Sequence, residues 1–265
     1  MRDWLGSLQD FSSSGLTIDD LPKLNILEAG LLKLKSDAVL AEQVQKTKVV
    51  GQDDIWSSIN LYRHLERLQT LIGRPKNEAA ARAWTDAFLF RVSAMVLQNE
   101  TMVLSMKQSI PPTAMKSPSS TTLHGVVEYT AEAADRSVDE IFLSDPAIER
   151  MKLAMPSGLV VTVAKSFSMS LQDHIPQAVC KMKPVVCGVL TVGDTWIFLV
   201  VVMNSNSDGA KYWQSEEISI LTLTPPGHAR ITSPWPDVVA GILADWMKQR
   251  FEDIEGGDDW FEVGL

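Results

Sequence analysis

Glu78, Glu128, Lys165 and Gln177 are the residues of this sequence whose types and order could do chemistry together. Glu128 stands inside an otherwise apolar run, His124-Gly125-Val126-Val127-Glu128-Tyr129-Thr130. A carboxylate buried there without a partner would be costly, so it calls for a counter-charge or a metal. Lys165 closes a second apolar run, Leu159-Val160-Val161-Thr162-Val163-Ala164. Acids that meet at strand ends can hold magnesium or manganese, which activates water and neutralises the charge that develops on a phosphate, while a lysine beside them orients or deprotonates the nucleophile. On that reading Glu78 and Glu128 are the metal ligands, and Glu128, Lys165 and Gln177 form the catalytic set. Each residue also has a plainer role. Lys165 can be a solvated strand terminus, Glu128 can pair with Lys165, Glu78 can be a first-turn helix charge, and Gln177 can be an ordinary helix residue.

These residues must be positioned by elements that the pattern partly reveals. Asn77 precedes Glu78-Ala79-Ala80-Ala81-Arg82-Ala83-Trp84, an N-cap followed by an acid in the first turn and a run of strong helix formers, and predicts a helix from there to about Lys107. Its stripe of Trp84, Phe88, Val92 and Met95 reads as core. The buried centre is expected at Gly158 to Met203, where two β-branched runs flank Gly193-Asp194, a strong two-residue hairpin signal. Helical spacing predicts earlier helices over Ile26 to about Lys46 and Asp54 to Ile72, and a last helix after Ser233-Pro234-Trp235-Pro236 with the stripe Val239, Ile242, Leu243 and Trp246. The prolines and serines from Ser109 to Ser120 predict a loop between a helical first half and a sheet-forming second half. Residues 131–150 allow short helices, Asn204 to Gln214 reads as a polar loop, and Glu217 to Leu223 reads as a strand.

The chain has 265 residues and a formal net charge of −9, which gives no global electrostatic reason to approach nucleic acid. A local basic groove for nucleic acid, or a protein partner, stays open. Cys180 and Cys187 fit neither a disulfide framework nor a zinc pattern, so the default expectation is a reduced, intracellular protein. The polar N-terminus predicts no signal peptide. The apolar stretch from Val185 to Met203 would place Gly193-Asp194 at a bilayer centre, so a buried hairpin is expected and a membrane span is not. His64, His124, His174 and His228 show no ligand spacing, and no Ser-His-Asp or Cys-His arrangement stands out.

The order of helix-borne acid, strand-borne acid and strand-end lysine resembles the PD-(D/E)xK nuclease superfamily, and more closely the nuclease-like proteins of that superfamily in mushroom-forming fungi. The residues that carry the likeness are Gly125-Val126-Val127-Glu128-Tyr129, Val163-Ala164-Lys165, His174-Ile175-Pro176-Gln177-Ala178, and Gly188-Val189-Leu190-Thr191-Val192-Gly193-Asp194-Thr195-Trp196-Ile197-Phe198. The resemblance covers about residues 75 to 225 and implies an α/β fold. In detail this would be a restriction-endonuclease-like central mixed sheet of about five strands flanked by helices, with an extra helical N-terminal part. It divides the chain into a helical extension over 1–74, a nuclease-like domain over 75–251 and an acidic mobile tail over 252–265. The departures bear on activity. Val163 stands where the resemblance implies a metal-binding glutamate, and Glu128 where it implies an aspartate. Valine cannot ligate a metal, so the implied Mg or Mn site is depleted unless Asp173, near Gln177, reaches in. The resemblance, with these departures, therefore implies a weakly active or inactive relative of metal-dependent nucleases, or a non-catalytic binding module that kept the fold.

Overall fold

A computed structural model describes residues 9–12, 16–97, 99–115, 121–136, 160–164, 170–181, 185–204, 208–224, 228–248 and 258–264. It is a mixed α/β structure with a central mixed sheet flanked by helices. The strands are β1 (Gln9–Ser12), β2 (Ile26–Leu34), β3 (Glu100–Met115), β4 (Thr121–Asp135), β5 (Val160–Ala164), β6 (Val185–Thr191), β7 (Thr195–Met203), β8 (Ala210–Ser215), β9 (Ile218–Ser219), β10 (Leu221–Thr224), β11 (His228–Ile231) and β12 (Phe261–Gly264). The helices are α1 (Asp37–Val49), α2 (Ser58–Ile72), α3 (Glu78–Ser93), α4 (Ile175–Lys181) and α5 (Trp235–Lys248). Six strands in the order β4-β5-β6-β7-β8-β2 form the middle of the sheet. Strands β1, β3, β9 and β12 border it, which brings the main sheet to ten strands, and β10 and β11 pair separately. Among the described residues no helix is long and apolar enough to cross a membrane.

The expected hairpin is present. β6 and β7 pair antiparallel from Thr191 with Trp196 to Val185 with Val202, and Val192 N–H donates to Thr195 O at 3.2 Å across the two-residue turn. Gly193 is required there. Its φ is +93°, and a Cβ would lie 2.8 Å from Trp84 Cβ and 3.0 Å from Ala81 O, so the turn abuts α3. Asp194, fully buried, accepts from Arg74 Nε at 2.8 Å, which ties the same turn to the segment leading into α3. The hairpin tip thus fixes where α3 sits on the sheet.

Alternation along β7 divides the core. Trp196, Phe198 and Val200 join Trp84 and Phe88 of α3 and Val239, Ile242 and Trp246 of α5 on one face. Ile197, Leu199 and Val201 join Ile175, Ala178 and Val179 of α4 on the other. The stripes expected on α3 and α5 are core, as read. Arg91, also fully buried, crosses this layer and donates through Nη2 to Thr47 O at 2.6 Å and Val50 O at 2.7 Å, and through Nη1 to Trp56 O at 3.3 Å. It holds the α1–α2 connection closed. Arg91→Met should leave three carbonyls without their donor and lower unfolding free energy by about 2–4 kcal/mol, read by urea denaturation.

Several sequence expectations give way. Residues 26–46 are not one helix: Ile26 to Leu34 form β2, an interior strand between β8 and β12, and helix begins at Asp37. The N-terminal part therefore contributes to the main sheet and is not only a helical extension packed upon it. The helix from Glu78 ends at Ser93, well before Lys107, and β3 follows. The predicted loop over 109–120 is strand as far as Met115. Pro111 and Pro112 are tolerated because, among the described residues, β3 pairs only with β4 and the register shifts between Ile110 and Thr113. Residues 131–135 extend β4, and 137–150 lie outside the described residues. Part of the polar loop over 204–214 is β8, and the strand over 217–223 is broken at Ile220 into β9 and β10. At 258–264 the mobile tail is instead β12 and its lead-in, with Trp260 1% and Phe261 3% exposed, because these aromatics have a core to enter.

Candidate functional site

The site grows from the first turn of α3. Asn77 Oδ1 accepts from Ala80 N–H at 2.9 Å, which starts the helix so that Glu78, Arg82 and Asp86 fall one above another at i, i+4 and i+8. Arg82 Nη2 contacts Glu78 Oε1 on its own helix and Glu128 Oε2 on β4. Side-chain exposure runs from 16% at Glu128 through 26% at Arg82 to 54% at Glu78, so the group opens outward from the sheet. The two glutamates proposed from sequence as metal ligands are brought together, and the guanidinium lies between them.

Asp86 extends the group inward. Burial raises its pKa, while the Tyr129 hydroxyl and the Arg82 charge pull it down. Burial, and then Asp86, push the Tyr129 phenol well above its ordinary value. Among the described residues neither that hydroxyl nor Asp86 Oδ1 has a well-formed hydrogen-bond partner.

A break in strand alternation explains how consecutive residues Glu128 and Tyr129 both meet α3. Val127 packs with the α4-side core and Ala131 with the α3-side core, although four residues apart they should share a face. Across the ladder Met106 pairs with Tyr129 and Gln108 with Val127. Between them Lys107, opposite Glu128, has φ +53°, a left-handed conformation that lysine adopts only under constraint. The irregularity in β3 and the acid in β4 coincide.

The other sequence candidates are distributed differently. β4 and β5 pair as Tyr129 with Thr162, Thr130 with Val161 and Ala131 with Val160, and on its other side β5 pairs Val163 with Leu190, a residue of the α4-side core. Lys165 lies outside the described residues. Gln177 is buried, 7% exposed, on α4, the helix across the sheet from α3. Asp173 is exposed in the turn before α4. Among the described residues no three His, Cys, Asp or Glu side chains gather as a metal site would need. Arg82, Asp86, Tyr129 and Lys107 were not foreseen as site residues. The i, i+4, i+8 spacing from Glu78 was a signal for the first two.

The arrangement can do two things chemically. It can hold a cation between Glu78 and Glu128, a place Arg82 now takes, and it can shield one half-buried carboxyl, Asp86, beside a phenol. No protein-family model matches the chain, and no curated protein matches it.

Proposed function

We propose that this chain is a nuclease-like α/β domain of the restriction-endonuclease type in which the Arg82 guanidinium substitutes for the divalent cation, leaving a binding module without phosphodiesterase activity. One observation carries the reading: Arg82 contacts both Glu78 and Glu128, the two acids left of the implied metal set. The motif likeness from Gly125 to Phe198 supports the ancestry, as does the mixed sheet with helices on both faces, and Val163, standing where the likeness implies a metal-binding acid, supports the loss of the metal. An internal cation offers neither the bound water nor the open coordination that metal-assisted hydrolysis uses.

The test is direct. Purified protein is incubated with single- and double-stranded DNA and RNA in magnesium, manganese or chelator. No metal-dependent cleavage is expected. Cleavage that needs the metal and disappears in Lys165→Ala would overturn the proposal in favour of a weakly active nuclease.

A further inference from the structure

The segment from Asp258 to Gly264 is held as extended peptides are held by a recognition domain. Its backbone adds to a sheet edge, with Phe261 to Gly264 antiparallel to Leu34 to Leu31 of β2. Lys35 N–H donates to Trp260 O at 2.9 Å, continuing that ladder. Its buried anchors are two neighbouring aromatics, Trp260 and Phe261, while Asp259, Glu262 and Val263 face outward.

The side-chain bonds to α5 are reciprocal. Trp260 Nε1 donates to Asp245 Oδ2 at 2.6 Å, and Trp246 Nε1 donates to Asp258 Oδ2, also at 2.6 Å. Asp258 Oδ1 accepts from the N–H groups of Trp260 and Phe261, each at 2.7 Å, and so shapes the turn into the strand. The Trp260 ring covers Gly241 so closely that a Cβ there would come within 2.3 Å of its Cζ2. Main-chain pairing for affinity, aromatic anchors for specificity and a polar outer rim are the parts of strand-addition recognition. Here the ligand is the chain's own segment, joined to α5 by residues 249–257, which include Gly256 and Gly257.

We propose that residues 258–264 are an exchangeable strand ligand, and that the groove made by the β2 edge, Gly241, Asp245 and Trp246 accepts the same segment from a second copy of this chain. Within one chain the tether supplies an effective concentration of order millimolar, so the closed monomer prevails in dilute solution. Between two copies every ladder bond and indole–carboxylate bond is remade once per subunit, so exchange needs no new contact. The inference stands apart from the metal-site reading, since it uses the opposite end of the sheet.

Two full-length variants test it by complementation. Trp260→Ala disables the segment and leaves the groove, whereas Gly241→Leu blocks the groove, pressing also on Thr47 Oγ1 of α1, which lies 2.5 Å from a Cβ there, and leaves the segment. Each alone should be monomeric by size exclusion with light scattering. Mixed in equal amounts at micromolar concentration, they should form a one-to-one heterodimer. If both variants are folded by near-ultraviolet circular dichroism and the mixture stays monomeric, the proposal is overturned. Should Gly241→Leu not fold, the decision passes to a fluorescent peptide of residues 256–265 added to full-length Trp260→Ala, or to Asp258→Ala if that variant also fails. Saturable binding at least about tenfold tighter than to the wild-type chain supports exchange, and binding no tighter overturns it.

Discussion

Glu132→Gln is expected to stabilise the protein by about 3 kcal/mol near pH 8.5 and to change it little near pH 4.5, a pH-dependent gain that few single substitutions give. Glu132 is 1% exposed, and its Oε1 has no hydrogen-bond partner among the described residues. Burial alone raises its pKa from the ordinary 4.5 to about 8. The sign follows from proton counting. Between those two values the folded chain holds a proton at this site that the unfolded chain has released, so stability falls as pH rises, by up to about 1.4 kcal/mol per unit. Below 4.5 both states are protonated and the site contributes no slope, and above 8 the full cost of the buried charge is present. Glutamine has the same shape and never ionises. Urea unfolding of both proteins across this range isolates Glu132, because the other titrating groups cancel in the difference. Parallel stability curves would sink the argument. The expected figure is set below the full slope because water entry and local relaxation soften the penalty.

What the sequence made legible was local. The β6–β7 hairpin was readable because two β-branched runs and a Gly-Asp turn lie within 19 residues, from Val185 to Met203, and the pairing is between neighbours. The stripes of α3 and α5 were readable because one helix face meets one core. Where partners lie far along the chain, local pattern misled. Leu27, Leu31 and Leu34 have helical spacing, yet Leu27 and Leu31 are exposed and the buried residues of β2 are Ile26 and Leu32. A register shift between Glu28 and Gly30 blurs the strand alternation, and the parallel partner β8 lies more than 170 residues away. β8 itself looked like a polar loop, because Lys211, Gln214 and Ser215 dilute the apolar signal of Ala210 and Tyr212. Trp260 and Phe261 were read into a tail because acids and glycines surround them, and only α5 and β2 reveal where they go.

The candidate site was legible as a pair of acids and illegible as a triad. Arg82 reads as one more helix former in an alanine-rich turn, and its second partner, Glu128, is 46 residues further on, in a strand whose alternation breaks at that point. The same fact makes the site easy to interrogate, since the cation between the glutamates is a side chain that can be removed.

Arg82→Ala is expected to create manganese binding that the wild-type chain lacks at millimolar metal, with affinity gained at least about tenfold. Removing the guanidinium leaves Glu78 and Glu128 facing each other without a counter-charge. Two such carboxylates can take up a cation, and a hard divalent ion with oxygen ligands suits them. The readout is a manganese-dependent rise in melting temperature together with calorimetric titration, because an ion that binds only the folded chain stabilises it by about 1.4 kcal/mol at ten times its dissociation constant. Val163→Glu, which keeps Arg82, should gain no binding, since the guanidinium still competes for both original acids. An Arg82→Ala variant that melts cooperatively and shows no shift with manganese would mean that Glu78 and Glu128 converge only because Arg82 draws them together. The two glutamates would then be an ion-pair network of the fold, and the metal ancestry proposed for them would fail.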